Sequence, residues 1–244
     1  MGTSQTDNGT WPDFCERAAN DDTIFNTFKQ ADTTRTTLEH VSEKLGSIYY
    51  DHILLNEKIK SLEKFTVNDR YGTPSKVEYP FGSFSPTTLR YIKIVSDLSQ
   101  LNLEDMDIVE IGGGYGGQYT VLRQYAKPKS YTFVDLPRVL KLQKRYIEKN
   151  NLDDIELNFY NSDNLPSRTY DLVISNYAIS ECDTEIQDIY ISKIIKNSKH
   201  GYIIHNKFRG HTVDTFIDLS TKKVKVTNEN PQTNRQWDNA LLTW

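Results

Sequence analysis

Short apolar runs alternate with amphipathic stretches from about residue 85 to the end of the sequence. Apolar runs bounded by polar or glycine-rich segments are typical of buried parallel strands, and the stretches between them repeat apolar residues at helical spacing. The predicted strands are 108–111, 131–135, 155–159, 170–175 and 201–206, followed by an antiparallel hairpin of 223–228 and 239–244. This pattern predicts an α/β, Rossmann-like fold with a mostly parallel seven-stranded sheet.

The segment between residues 33 and 65 has a longer and more regular periodicity. Its apolar residues recur in steps of three and four, which predicts one helix, or two helices broken near Gly46, with one apolar face. The stripe consists of Leu38, Val41, Leu45, Ile48, His52, Leu55, Ile59 and Leu62. A cap packed on its own domain and a coiled-coil seam between two subunits of a homodimer both fit such a stripe. Gly46 and His52 interrupt it, which favours packing within one subunit.

Aromatic residues, glycines and prolines are mixed between residues 68 and 85, so this segment reads as a linker. Ser85 then suits a helix N-cap with Pro86 at the first helical position, and apolar spacing continues to Leu98. We therefore expect two units. Residues 1–84 form a disordered start and an N-terminal helical cap, and residues 85–244 form the α/β domain.

Composition and charge disfavour several classes of protein. The 244 residues are 37% hydrophobic, which is enough for a core, and no apolar run approaches the length of a transmembrane helix. A net charge of −4 disfavours nucleic acid as the main partner. The two cysteines, Cys15 and Cys182, form neither a disulfide framework nor a metal-binding spacing, so a cytoplasmic location is expected.

The sequence E-I-G-G-G-Y-G-G-Q, residues 110–118, joins the first predicted strand of the sheet to a helix. Glycines in such a turn let the backbone bend sharply and let a nucleotide-like ligand approach the main chain. Gly112, Gly114 and Gly117 also fit the dinucleotide fingerprint, so the glycines alone leave the cofactor open. Glu110 favours S-adenosylmethionine, because a carboxylate can hold the cationic amino acid tail of that cofactor but repels a pyrophosphate.

Polar residues at the ends of the other strands extend this cofactor prediction. Asp135 ends the second strand, where it can accept hydrogen bonds from ribose hydroxyls or act as the N-cap of the next helix. Since the carboxyl ends of parallel strands meet at one edge of a sheet, the residues after them are expected to share a site. The predicted cofactor-binding residues are Glu110, Gly112, Gly114, Gly116, Gln118, Asp135, Leu136, Ser162, Asp163, Ser175 and Asn176.

The acceptor is expected over the ends of the fourth and fifth strands. Removal of a proton from a hydroxyl acceptor needs a base, and Glu181 and His205 are the candidates. His205 titrates near neutral pH, whereas Glu181 requires burial to raise its pKa. A metal held by these two residues and Asp183 is an alternative, but the spacing is not diagnostic and no metal is predicted. The residues predicted to contact the substrate are Arg90, Tyr91, Tyr177 and Asn206.

Several short motifs follow one another along residues 72–244. They are S-P-T-T-L-R-Y-I-K, E-I-G-G-G-Y-G-G-Q, V-D-L-P, S-N-Y-A-I-S-E and G-Y-I-I-H-N. In this order they resemble the sugar O-methyltransferase family of polysaccharide-assembly systems. The resemblance implies a class I S-adenosylmethionine-dependent methyltransferase that produces S-adenosylhomocysteine. It also implies a carbohydrate acceptor, either a glycan or a nucleotide-sugar.

Two other functions compete with an active sugar O-methyltransferase. An NAD(P)-dependent oxidoreductase would use the same glycine turn for a nicotinamide cofactor. A catalytically silent methyltransferase-like module would bind a partner in a glycan-assembly complex without turnover. Binding of S-adenosylhomocysteine compared with binding of NAD and NADP separates the first function from the oxidoreductase.

Overall fold

The computed structural model describes residues 9–80, 82–233 and 238–244. The first eight residues of the predicted disordered start, and Phe81 of the predicted linker, lie outside the described residues. The strands are β1 Val77–Tyr79, β2 Gly82–Phe84, β3 Asp107–Ile111, β4 Ser130–Val134, β5 Glu156–Tyr160, β6 Tyr170–Asn176, β7 Ser198–His205, β8 Lys225–Asn228 and β9 Ala240–Thr243.

Within the described ranges, seven strands form one sheet in the order β5-β4-β3-β6-β7-β9-β8. The pairs β3 with β4, β4 with β5, β3 with β6 and β6 with β7 are parallel. The β9 strand is antiparallel to both β7 and β8, although β8 precedes it in the chain. The predicted Rossmann-like sheet with a C-terminal antiparallel hairpin is therefore confirmed.

Helices cover the sheet and form the N-terminal part of the chain. They are α1 Thr10–Asn20, α2 Asp22–Thr27, α3 Asp32–Thr37, α4 Glu43–Leu54, α5 Pro86–Leu98, α6 Gly117–Tyr125, α7 Pro137–Lys149, α8 Thr184–Lys193 and α9 Val213–Ser220. The start of α5 is as predicted, because the Ser85 hydroxyl accepts a hydrogen bond from the Thr87 N–H at 3.2 Å. In the predicted linker, β1 and β2 form an unpredicted antiparallel hairpin.

Of the two alternatives predicted between residues 33 and 65, the single helix is wrong, and the break between two helices lies at residues 38–42 instead of near Gly46. The chain is helical in α3 and α4, is irregular between them, and forms a 3₁₀ helix at Glu63–Asp69. The buried face of α4 consists of Gly46, Tyr49, Tyr50 and Ile53, which is one position away from the predicted stripe. Leu55, a member of that stripe, is 84% exposed. Two tyrosines on the buried face explain the shift, because aromatic side chains bury more surface than the leucines.

The N-terminal helices share one hydrophobic core with the sheet. Phe25 and Phe28, before the predicted boundary at residue 84, pack on Tyr146 of α7 with ring centroids 6.4 and 5.9 Å apart. Helix α4 packs against α5 of the same chain, as expected for a cap. Gly46 allows this close approach, since an added Cβ would lie 2.9 Å from the Cβ of Pro86. The division into two domains and the oligomeric state stay predictions.

None of the helices in the described part of the chain is both long and apolar enough to traverse a bilayer.

Candidate functional site

A cavity of about 1430 Å³ opens at the edge of the sheet where the parallel strands end. Most of the residues predicted for the site line it, because the loops after β3, β4, β5, β6 and β7 meet there. Those that line it are Arg90, Tyr91, Glu110, Gly112, Gly114, Asp135, Leu136, Ser162, Asp163, Asn176, Tyr177, Glu181 and Asn206. Gly116, Gln118, Ser175 and His205 do not line this cavity.

The glycine turn between β3 and α6 is closely packed on both sides. Gly112 has φ 75°, and an added Cβ there would lie 2.0 Å from the Cβ of Ala178. Gly114 has φ 58°, and its Cβ would lie 2.8 Å from Leu38 Cδ1 of the N-terminal region. Side chains are therefore excluded at both positions by backbone conformation and by space. The main chain of the turn forms part of the cavity wall.

Glu110 is a buried carboxyl group at the base of the cavity. Its side chain is 2% exposed, and its Oε2 atom accepts a hydrogen bond from the Tyr131 hydroxyl at 2.8 Å. Burial raises its pKa to about 8, the Tyr131 hydrogen bond opposes this rise, and the charge of Asp135 adds to it. A cationic group of a ligand would favour the ionised form of Glu110 and lower its pKa again.

Asp135, just after β4, is held in one orientation. Its Oδ1 atom accepts a hydrogen bond from the Leu136 N–H at 2.8 Å, and its Oδ2 atom accepts one from Gln143 Nε2 at 2.9 Å. Burial raises its pKa to about 7, while the hydrogen bonds oppose the rise. Gln143 also donates to the Gly114 carbonyl at 2.9 Å. This residue, which links the acid to the glycine turn, was missed by sequence reasoning because nothing in the sequence pairs it with residue 135.

Ser175 and Gln118 support the site from behind and do not line the cavity. The Ser175 hydroxyl donates to the Ile111 carbonyl and accepts from the Ile179 N–H, both at 3.2 Å. Gln118 donates from Nε2 to the Tyr91 carbonyl at 3.3 Å. Gly116 is the N-cap of α6, in the left-handed conformation. These three residues thus have roles within the protein, and their predicted cofactor contacts stay predictions.

Glu181 lines the cavity in the 3₁₀ helix that follows β6. Its Oε1 atom accepts a hydrogen bond from Asn206 Nδ2 at 2.8 Å. Burial raises the pKa of Glu181 to about 7, and the Asn206 hydrogen bond opposes the rise. Asn206 is itself fixed, because its Oδ1 atom accepts from the Ser180 hydroxyl at 2.8 Å and the Phe208 N–H at 3.1 Å. The two predicted residues therefore meet, with the carboxyl group poised to titrate near neutral pH.

His205 occupies a different environment from the one predicted for a base. It is fully buried, its Nδ1 atom accepts from the Lys207 N–H at 3.1 Å, and its ring packs against Phe216. Burial lowers its pKa to about 4. Asp183 pairs with Arg209 at 2.7 Å. Across residues 9–80, 82–233 and 238–244 there is no group of three or more His, Cys, Asp or Glu residues arranged to hold a metal ion.

Solved structures with a similar fold were compared with the chain. It matches the magnesium protoporphyrin IX methyltransferase from Synechocystis PCC 6803, solved with bound S-adenosylmethionine, at a TM-score of 0.50 and 12% identity over 79% of this chain and 95% of that one. The chain has the class I methyltransferase fold. The order of its strands agrees, because the antiparallel β9 lies inside the sheet, whereas the dinucleotide-binding sheet has the order 3-2-1-4-5-6.

Other solved structures match more weakly. An O-methyltransferase family protein from Burkholderia thailandensis is 14% identical over 62% of this chain and 54% of that one, with a TM-score of 0.45. The pyocyanin biosynthetic protein PhzM is 11% identical over 65% of this chain and 56% of that one, with a TM-score of 0.48. The chain therefore spans little more than half the length of these two proteins. No protein-family model matches the sequence, and neither does any curated protein.

In this methyltransferase fold, a polar network borders the cavity beyond the end of β6. Tyr177, which has φ 70°, donates its hydroxyl to Glu229, and Glu229 also accepts from Asn239 Nδ2 at 2.7 Å. The Thr233 hydroxyl donates to the same carboxylate at 2.6 Å. Tyr177, Thr233 and Asn239 all line the cavity. Glu229 was missed in the sequence because it comes from the C-terminal hairpin, far from every motif.

Arg90, near the start of α5, lies beside this network. Its guanidinium group lies over the rings of Tyr91 and Tyr177, at 5.3 and 5.7 Å from their centroids. Its Nη2 atom donates to the Leu38 carbonyl at 3.4 Å, a long hydrogen bond. The predicted substrate residues Arg90, Tyr91 and Tyr177 are therefore in one cluster.

The N-terminal helices form one wall of the cavity. Residues 9–12, at the start of α1, line it, together with His40 and residues between Asp32 and Leu38. Ion pairs hold α1 on α7. Arg138 contacts Glu16 at 3.1 Å and Asp13 more closely, and Lys141 contacts Glu16 at 2.5 Å. Residues 11–32 were predicted only as part of the N-terminal unit, because their apolar repeats are too short to indicate a role in the site.

Proposed function

We propose that the protein is an S-adenosylmethionine-dependent O-methyltransferase that methylates a hydroxyl group of a sugar. The observation that carries the proposal is the placement of Glu181 in the same cavity as Glu110 and Asp135. Two acids suited to a cofactor and one acid suited to proton transfer thus share one space, in a methyltransferase fold.

The cavity fits the cofactor on physical grounds. Glu110 and Asp135 have pKa values raised by burial, so each would be stabilised by a ligand that donates hydrogen bonds or carries positive charge. Glu110 would hold the amino group of the methionine tail, and Asp135 would hold the ribose hydroxyls. Ser162 and Asp163, after β5, would contact the adenine edge. When bound, the cofactor supplies a methyl group made electrophilic by the sulfonium.

Glu181 would accept the proton of the acceptor hydroxyl. Its raised pKa of about 7 makes it a stronger base than an exposed glutamate while leaving a large fraction ionised at neutral pH. Asn206 would fix the carboxylate in one rotamer through the bond to Oε1. Tyr177 and Tyr91 would orient the acceptor so that its oxygen is in line with the methyl group.

The sugar class of the acceptor is supported by the resemblance of the sequence motifs. The polar lining of the cavity agrees with it. Thr33, Thr36, Thr37 and Thr233 line the cavity together with Asn239. Hydroxyl and amide groups of this kind can pair with several hydroxyls of one sugar ring.

Calorimetry and methyl transfer test the proposal. S-adenosylhomocysteine should bind the wild-type protein in the micromolar range or tighter, while NAD and NADP should not bind. Labelled methyl groups from S-adenosylmethionine should then be transferred to a member of a panel of hexoses, deoxyhexoses and nucleotide-sugars. Binding of NAD in preference to S-adenosylhomocysteine would favour the oxidoreductase, and cofactor binding without transfer to any sugar would favour a silent module.

A further inference from the structure

Arg90 is a buried cation for which the described residues supply no counter-ion. Its side chain is 3% exposed and forms part of the cavity wall. The guanidinium group is charged at every pH at which proteins fold. None of the ion pairs among residues 9–80, 82–233 and 238–244 includes Arg90.

The groups around Arg90 are neutral. Two tyrosine rings flank it, the Tyr91 hydroxyl interacts with it, and the Leu38 carbonyl accepts from Nη2 at 3.4 Å. Within the described part of the chain, Nε and Nη1 have no hydrogen-bond partner. A carbonyl dipole and aromatic faces attract a cation, but they do not neutralise it.

Carboxylates in the same region are already engaged elsewhere. Glu39 accepts hydrogen bonds from the Tyr115 hydroxyl at 2.8 Å and the Ser85 hydroxyl at 3.1 Å. Glu229 accepts from Tyr177, Thr233 and Asn239. These acids are held by networks of their own and form no ion pair with Arg90.

A buried charge is costly unless it is paired, so an unpaired arginine in a cavity wall points to an anion that arrives with a ligand. We propose that Arg90 is the counter-ion for an anionic group, a carboxylate or phosphate, of a ligand bound in this cavity. Bidentate pairing with such oxygens is the interaction for which the guanidinium fork is best suited.

The proposal rests on the proposed function in one respect, since that function supplies two sources for the anion. One is the carboxylate of the methionine tail of the cofactor, whose amino group is assigned to Glu110. The other is a carboxylate or phosphate of the acceptor, which would narrow the acceptor from any sugar to an acidic or phosphorylated one. Both sources would present anionic oxygens to Arg90, and the choice of probe separates the two sources.

The experiment compares wild type, Arg90→Met and Arg90→Lys by calorimetry. The first pair of probes is S-adenosylhomocysteine and 5′-methylthioadenosine, which lacks the amino acid tail. The second pair is glucuronate and glucose, with glucose 1-phosphate as a phosphate probe, each added to protein saturated with S-adenosylhomocysteine. Arg123→Met is the matched control, because Arg123 has its own acid, Asp154 at 2.7 Å, and does not line the cavity.

Either of two results supports the proposal. If the tail is the source, Arg90→Met should weaken binding of S-adenosylhomocysteine about 10- to 100-fold and leave 5′-methylthioadenosine unchanged. If the acceptor is the source, the variant should keep its affinity for both nucleosides and lose binding of glucuronate or glucose 1-phosphate. In both cases the melting temperature without ligand should not fall, because the substitution removes an unpaired buried charge.

Wild-type affinity of Arg90→Met for every probe would overturn the proposal. A fall in melting temperature with unchanged affinities would show a structural role instead. If Arg90→Met does not fold, Arg90→Gln, which removes the charge and keeps amide donors, decides by the same criteria, and Arg90→Lys should keep the part of the affinity that the charge supplies. Failure of wild type to bind S-adenosylhomocysteine would overturn the proposed function separately. In that case Arg90 would be judged on the anionic probes alone, and their failure to bind wild type would overturn its assignment too.

Discussion

Asn206 Nδ2 donates a hydrogen bond to Glu181 Oε1 at 2.8 Å and so connects two neighbouring loops. This bond links the end of β7 to the 3₁₀ helix after β6. Of the two predicted bases, Glu181 lines the cavity and His205 does not. The hydrogen bond from Asn206 fixes the rotamer of Glu181. The pair is therefore the first target for testing the proposed chemistry.

Glu181→Gln should lower kcat by about 10²- to 10⁴-fold, because the amide cannot accept the proton of the acceptor. Affinity for S-adenosylhomocysteine should stay within about twofold of wild type, since the substitution is nearly isosteric. In wild type, kcat/KM should rise with pH through about 7 as Glu181 ionises. Steady-state rates between about pH 3.5 and pH 9 measure this profile. A limb near pH 4, where burial places the pKa of His205, would contradict the assignment.

Asn206→Ala should move the same limb to higher pH. The Asn206 hydrogen bond opposes the rise in the pKa of Glu181, so its loss should raise that pKa further. Thr215→Ala serves as a control, because Thr215 lies in α9 and does not line the cavity. If the limb stays at the wild-type pH in Asn206→Ala, Glu181 is not the group that titrates.

Glu110→Gln should stabilise the ligand-free protein while weakening cofactor binding. The folded pKa of Glu110, about 8, is above its ordinary value of 4.5. Between these values the folded state holds a proton that the unfolded state has lost, so stability falls as pH rises from 4.5 to 8. The variant should therefore be more stable than wild type at pH 8.5 by on the order of 1–3 kcal/mol. Denaturant unfolding of wild type and Glu110→Gln at pH 5 and pH 8.5 measures this difference. Equal stabilities of the two proteins at both pH values would contradict the prediction.

Gly112→Ala and Gly116→Ala should differ in severity although both glycines have positive φ. An added Cβ at Gly112 meets the Cβ of Ala178 at 2.0 Å, whereas one at Gly116 meets Ile147 at 3.7 Å. Gly116→Ala should cost about 1–2 kcal/mol from backbone strain alone. Gly112→Ala should cost more and should also reduce binding of S-adenosylhomocysteine, because the turn must move. Thermal unfolding of both variants decides the order, and equal losses would show that the contact with Ala178 relaxes freely.

The fluorescence of Trp11 should report cofactor binding. Trp11 stands at the start of α1, lines the cavity and is 5% exposed. In a Trp237→Phe background, which removes the third tryptophan, S-adenosylhomocysteine should therefore change the emission of the protein and of its Trp244→Phe variant, since Trp244 does not line the cavity, but not that of its Trp11→Phe variant. Titration at an excitation wavelength selective for tryptophan measures this. A full signal in Trp11→Phe would show that α1 does not contact the cofactor site.

The sequence was most informative where the chain forms the parallel sheet. Buried parallel strands read as continuous apolar runs, so the strands and the glycine turn were found close to their observed positions. The rule that ligands lie beyond the strand ends also predicted the edge at which the cavity opens. It could not decide between neighbouring residues, because successive side chains of a strand point to opposite faces. For this reason Asn206 lines the cavity while His205 is buried against Phe216.

The N-terminal region was harder to predict for a different reason. Helices α2 and α3 have six residues each, so periodicity had few turns in which to appear. In α4 the tyrosines Tyr49 and Tyr50 are buried, and a pattern based on aliphatic residues assigned the wrong face. The contacts of Gln143 with Asp135 and of Glu229 with Tyr177 depend on tertiary structure. Without an alignment of related sequences, no local spacing indicates such pairs.

The position of β9 between β7 and β8 has a consequence for synthesis on the ribosome. Strand β8 emerges first, yet β9 is its pairing partner in the sheet. Until residues 240–243 are available for pairing, β8 has no partner strand and one edge of β7 is unpaired. A nascent chain stalled at this point would present that edge for pairing with other strands. A variant that ends at residue 239 should therefore be bound by chaperones, whereas the 244-residue chain should not.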